Sequence, residues 1–140
     1  MNYIKSASIL AAMLFGFGAT AQAVDLTVTV SDIRTTTGTL QVSVSNTDDA
    51  WNNKAKPVAG QKVAVTGNEV VLHFTVPAGT YAVQVMHDAN GNDKLDTNFM
   101  GIPVEGYGFS NNPTGLRKAT FEEARFTVDD SPKAVVIRLR

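Results

Sequence analysis

Val70 to Val85 reads VVLHFTVPAGTYAVQV, and its period decides the fold class. Val70, Leu72, Phe74 and Val76 fall on one side of an extended chain, with Val71, His73 and Thr75 on the other. Successive side chains of a strand point to opposite faces, so this alternation marks a half-buried strand. Pro77-Ala78-Gly79 punctuates the run, and Tyr81, Val83 and Val85 restart it.

The same period recurs outward from this stretch. Leu26, Val28 and Val30 alternate with Thr27, Thr29 and Ser31; Thr36-Thr37-Gly38 makes a turn, and Leu40, Val42 and Val44 repeat the pattern. These two runs are expected to pair as an antiparallel hairpin. Val63 and Val65 form a short third strand, turned around by Thr66-Gly67-Asn68. Towards the C-terminus, Ala124, Phe126 and Val128 precede a turn at Asp129–Pro132, and Val135, Ile137 and Leu139 make a last strand. Glu122 to Arg125 has room for a single helical turn. About seven short strands with turns between them predict an all-β fold, a single antiparallel β-sandwich or small barrel. The polar stretch from Ser45 to Pro57 holds the only tryptophan, Trp51. It either caps an open end of the core or is an exposed contact residue, and the usual burial of large aromatics favours the cap.

Composition narrows the class further. Twelve basic residues against 13 acidic ones leave no electrostatic footprint for nucleic acid or an anionic membrane. A chain 44% hydrophobic and 18% charged is globular. Lys5, the apolar run Ile9 to Phe17 and the small-x-small site Ala21-Gln22-Ala23 follow the order of a secretory signal peptide. The apolar run is too short for a membrane span, which takes about 20 residues. The expected organisation is a signal peptide over residues 1–23 and one β-sandwich domain over residues 24–140, in the periplasm or secreted, with no membrane insertion of the mature chain. The absence of cysteine removes disulfides, thiolate metal sites and cysteine nucleophiles.

The strand ending at Val85 runs into HDANGNDKLDTNFMGIPVEGYGFSNN, residues 87–112. With Asp88 as position 1 of a calcium loop, Asn90 falls at 3, Asn92 at 5, Lys94 at 7 and Asp96 at 9. Oxygen side chains at 1, 3, 5 and 9 with a backbone carbonyl at 7 are how such loops wrap one Ca²⁺, a hard cation that takes six to eight oxygens. Leu95 at position 8 is expected to face away from the ion into the core. Two positions depart from the pattern: Asp93 stands where a glycine makes the sharp turn, and Phe99 where a bidentate glutamate closes the site. Asp tolerates the left-handed conformation, less easily than Gly. Affinity is therefore expected to be weak, on the order of 10⁻⁴ to 10⁻³ M, unless Asp93 turns inward or Glu105 returns to the site. The competing reading is a turn in which Asn and Asp side chains bond their own backbone.

The second half of the stretch alternates small and aromatic residues, Gly106-Tyr107-Gly108-Phe109, before Ser110, Asn111 and Asn112. Tyr107, Phe109, Asn111 and Asn112 are either a contact surface for a glycan, a peptide or an envelope protein, or a loop packed over the sandwich end by its own side chains. His87 and Asp88 are neighbours on a strand and point to opposite faces. With no nucleophile in a suitable setting, the chain offers no catalytic constellation and is expected not to be an enzyme.

These residues carry a resemblance. A Val-rich strand ending in His-Asp, an Asn-Gly-Asn-Gly-Lys-Leu-Asp-like loop, then Gly-Ile-Pro, Glu-Gly-Tyr-Gly-Phe and Ser-Asn-Asn resemble the signature of an uncharacterised family of small exported bacterial domains. Asp93 stands where that signature has glycine. The resemblance implies a β-sandwich of the immunoglobulin or transthyretin-like kind, as in carboxypeptidase regulatory domains, and an exported compartment. It implies no reaction.

Overall fold

The computed structural model describes residues 22–140, so the expected signal peptide lies, but for its last two residues, outside the described part. Eight strands and two single-turn helices follow one another in the order β1 (Ala23–Ser31), β2 (Thr39–Ser45), α1 (Asp48–Trp51), β3 (Ala59–Ala64), β4 (Val70–Pro77), β5 (Gly79–Asp88), β6 (Tyr107–Phe109), α2 (Phe121–Ala124), β7 (Phe126–Val128) and β8 (Lys133–Arg138). They form a three-stranded sheet, β4-β1-β8, and a five-stranded sheet, β3-β2-β5-β6, with β7 pairing the start of β5. The fold is all-β and sandwich-like. Leu26, Val28, Leu72 and Ile137 from the first sheet meet Leu40, Val42, Val44 and Val83 from the second in one buried cluster. This is the alternation read from the sequence, converted into an inner face for each sheet.

Four expectations are corrected. β1 and β2 do not form a hairpin; β1 pairs β4 and β8, while β2 pairs β3 and β5. The segment from Asp32 to Gly38 is long enough to carry the chain from one sheet to the other. Ile33 plugs the gap, buried and hydrogen-bonded through its N–H to the Asn68 carbonyl at 3.2 Å. The sandwich is also not wholly antiparallel, because β8 runs parallel to β1 with Val28 opposite Val135 and Val30 opposite Ile137. Either direction buries the same alternate residues, so periodicity cannot choose between them. Finally, Ala124 lies in α2 rather than in a strand, and β6 is an eighth strand inside what reads as loop.

β6 closes one side of the sandwich. Tyr107 and Arg140 exchange N–H···O bonds of 3.2 and 3.0 Å, tying the five-stranded sheet to the chain beyond β8. Gly108 permits the approach, since a Cβ there would stand 2.7 Å from Ile137 Cγ2. Asn112 caps the edge of β8 as a one-residue strand would, its amide donating to the Val136 carbonyl at 2.9 Å and accepting from Arg138 N–H at 2.8 Å. Such an edge is otherwise open to pairing with another chain.

Candidate functional site

The outer face of the five-stranded sheet is where the sequence's unusual residues collect. Register places Thr39, Gln41, Ser43 and Ser45 of β2 beside Asp88, Met86, Gln84 and Ala82 of β5, with Tyr107 and Phe109 of β6 flanking Met86 and Gln84. One end of this face is covered by Trp51, the other by the loop that follows Asp88.

The Trp51 end is apolar. Trp51 is fully buried and packs with Ala82, Phe109, Ala119 and Ala124 in a second cluster, its ring centroid 5.7 Å from that of Phe109. The indole N–H donates to the Ala119 carbonyl at 2.8 Å, which satisfies its one polar atom. α1 delivers the residue, with Thr47 capping the helix by accepting from Ala50 N–H. α2 carries a capping box, Thr120 and Glu123 bonding reciprocally. The Glu123 carboxyl is held at about 2 by the Arg117 guanidinium and by the Thr120 backbone N–H. Ser110 links the end to β5, its buried hydroxyl accepting from Val83 N–H and donating to the Ala124 carbonyl.

The other end is polar. Asp88 is fully buried, and its carboxylate accepts the N–H groups of Gly91 (2.9 Å), Asn92 (3.1 Å) and Asp93 (2.7 Å). Three donors on one carboxylate curl the chain around it. Asp93 adopts a φ of 60°, the left-handed turn that its position demands. Its side chain turns outward, not inward, to Lys62 Nζ at 2.5 Å and the Gln41 amide, and the lysine's charge and hydrogen bond lower its pKa. Glu105 does return, accepting Ala89 N–H at 3.1 Å and Asp96 N–H at 3.0 Å. The side chains at positions 3, 5 and 9 converge, the amides of Asn90 and Asn92 donating to the two oxygens of Asp96 at 2.5 and 2.7 Å. The loop thus has the self-bonded turns of the competing reading. Among the described residues no three of His, Asp and Glu come together as a metal set. Any cation here would rest on asparagine and backbone oxygens beside at most two carboxylates.

Gly38 lets the start of β2 press against this loop. Its φ is +74°, and a Cβ there would lie 2.0 Å from the Asp88 carbonyl oxygen. His87 points to the opposite face from Asp88, 2% exposed, with Nε2 at 2.8 Å from the Thr37 carbonyl. His73 lies on the outer face of the other sheet near Thr27. The two histidines share no site.

Between the two ends the face stays open. A groove of about 400 Å³ has Ser43, Gln84, Met86 and Tyr107 on its floor, Leu95 and Pro103 at the polar end, and Leu116 and Lys118 at the Trp51 end. Leu95 therefore faces this groove and not the core. Phe109 is buried beneath it, while Tyr107 remains half-buried at its side. Asn111 is engaged with the carbonyls of Glu123 and Arg125, and Asn112 with β8. Of the four residues read as a contact surface, Tyr107 is the one whose side chain is neither fully buried nor hydrogen-bonded among the described residues, its ring resting against Phe109 and under the Arg140 guanidinium, 5.2 Å away. Sequence reasoning missed Leu116 and Lys118. They sit in an irregular segment with no period to announce them, although Leu116, 89% exposed, is conspicuous once the fold is known. A second exposed apolar feature is the loop tip carrying Phe99, Met100 and Ile102, held by Asn98 through its backbone and its side-chain oxygen.

A two-sheet, loop-decorated all-β domain with a groove on the outer face of its five-stranded sheet is the class these features define. A family model described as an uncharacterised protein conserved in bacteria, DUF2141, matches residues 28–136, and the chain belongs to that family. No curated protein and no solved structure gives a significant match to it. Among the described residues no helix is long and apolar enough to cross a membrane.

Proposed function

We propose that the chain is an exported, non-enzymatic binding module, periplasmic or secreted, whose contact surface is the groove on the outer face of the five-stranded sheet. The observation that carries this reading is the gap between the two covered ends. There, Met86 and Tyr107 stay half-buried beside Ser43 and Gln84 on a floor of paired strands. A rigid, mostly apolar concavity with a few polar groups is the usual form of a ligand site. Export rests on the residues of the leader. The likeness to transthyretin-like sandwiches belongs to the same proposal and is supported by two facing sheets around one core. To test the groove, short oligosaccharides, apolar peptides and amphiphiles are titrated while Trp51 fluorescence is followed. Saturable binding that Met86→Glu and Tyr107→Ala both abolish supports it. A panel without a binder, or binding indifferent to both changes, overturns it.

A second reading concerns the rim: the Asp88–Asp96 loop takes one Ca²⁺ weakly. The convergence of Asn90, Asn92 and Asp96, with Glu105 alongside, favours it. To ligate a cation, the Asn90 and Asn92 side-chain oxygens, which now accept the N–H groups of Asn92 and Lys94, would have to turn towards the Asp96 carboxylate, an arrangement only a cation would hold. The Lys94 carbonyl would complete the set. The experiment is thermal unfolding in EDTA and then in millimolar Ca²⁺. Calcium at 100 times its dissociation constant adds about 2.7 kcal/mol, several degrees for a domain of this size. An unchanged melting temperature at 10 mM sinks this reading and leaves the groove standing.

A further inference from the structure

We infer that the groove takes an amphipathic carboxylate, its apolar body along Leu95, Met86 and Tyr107 and its carboxylate on Lys118 Nζ. This rests on the groove being the binding surface, and adds the chemistry of its ligand. Charge complementarity carries it: Lys118 is the one charged residue lining the groove, and no acidic side chain lines it among the described residues. Nζ is fixed at both ends of its reach, donating to the Trp51 carbonyl at 2.7 Å and standing 5.3 Å from the Trp51 ring centroid. An ammonium has three N–H donors, and one is used here among the described residues, so donors remain for an anion.

The environment strengthens such a contact. Burial lowers the Lys118 pKa, and Asp48, which raises it, is the opposing influence. Lys118 makes no ion pair among the described residues. Lys118 is an exposed residue whose ammonium is dehydrated only on the side that rests on Trp51, and an ammonium so placed, with no carboxylate paired to it, attracts one more strongly than a fully solvated ammonium does. The wall opposite Lys118 is apolar, with Leu95 and Pro103 supplying contact but no charge. A volume of about 400 Å³ lies within the range of small-molecule sites. Ser43 and Gln84, directly opposed across β2 and β5, add a polar step midway along the floor.

Decanoate, decanol and decyltrimethylammonium are the probes, each below its micelle concentration and in EDTA so that calcium salts do not form. Binding is read by Trp51 fluorescence and calorimetry. The inference expects decanoate to bind at least tenfold more tightly than the cationic probe. Lys118→Met is expected to weaken decanoate at least tenfold and decanol less than twofold, with Lys118→Arg restoring most of the decanoate affinity. Equal affinity for decanoate and decyltrimethylammonium overturns the inference, as does decanoate binding unmoved by Lys118→Met. If decanol, or an oligosaccharide or peptide of the wider panel, binds in those cases, the groove reading survives; if nothing in that panel binds, the groove reading falls too. Should Lys118→Met fail to fold, the contrast of charge on the unaltered protein decides.

Discussion

The two ends of the five-stranded sheet's outer face solve the same problem by opposite chemistry. At one end Trp51 covers the strands with apolar area and a single hydrogen bond. At the other a buried Asp88 covers them with a curl of backbone whose N–H groups it gathers. Apolar cover is non-directional and scales with the area removed from water. A buried carboxylate is directional, and its stability depends on every donor staying in place. The first end is a plug; the second is a knot that has to be tied correctly.

The largest expected effect breaks the plug. Trp51→Ala removes the centre of the second cluster and leaves the Ala119 carbonyl without its donor; a loss of about 3–5 kcal/mol is expected, measured by urea unfolding. Asp88→Asn breaks the knot. It keeps the shape but discards a charged acceptor, costing about 2 kcal/mol, with hydrogen exchange accelerating at Gly91, Asn92 and Asp93 before anywhere else. If exchange instead rises across both sheets together, the loop is not a separate unit and the contrast fails.

Smaller changes sharpen the comparison. The Ser45 hydroxyl is buried close to the Trp51 end and has no hydrogen-bond partner among the described residues. Ser45→Ala should therefore leave stability unchanged or raise it by up to about 1 kcal/mol; a clear loss would show a polar requirement where the account has none. The smallest effect is one of pH. Glu123 titrates at about 2 in the folded chain against 4.5 for its ordinary value. Its contribution is present above the unfolded value and disappears as pH falls through about 2. Thr120→Ala together with Arg117→Met, which remove one half of the capping box and the guanidinium that is the main cause of the low value, should flatten the acid limb of the stability profile, the lost cap alone costing about 1 kcal/mol at neutral pH. A profile identical to that of the unaltered protein would contradict the box.

Periodicity in the sequence revealed which residues face inward, and Leu26 to Val30, Leu40 to Val44 and Val70 to Val85 all do as read. It could not reveal pairing. The assignment of β1 and β2 to different sheets depends on Ile33 and on the length of the connection, and the parallel direction of β8 on which end of the sheet the chain enters. The loop was legible in part: oxygen spacing marked Asp88, Asn90, Asn92 and Asp96, and Glu105 stood out as the residue able to return. What spacing could not say is that the Asp88 carboxylate is already filled by three N–H groups. Lys118 and Leu116 were illegible because a groove wall drawn from irregular chain leaves no local pattern.

The central claim is that ligands meet this protein between the plug and the knot. Amide chemical-shift mapping during a decanoate titration of the ¹⁵N-labelled chain tests it most directly. The account predicts shifts grouped at Gln41, Ser43, Gln84, Met86 and Tyr107, with the Trp51 indole N–H moving in step. Shifts centred instead on the tip at Phe99, Met100 and Ile102, or on Val71 and Val136 across the opposite sheet, would contradict it.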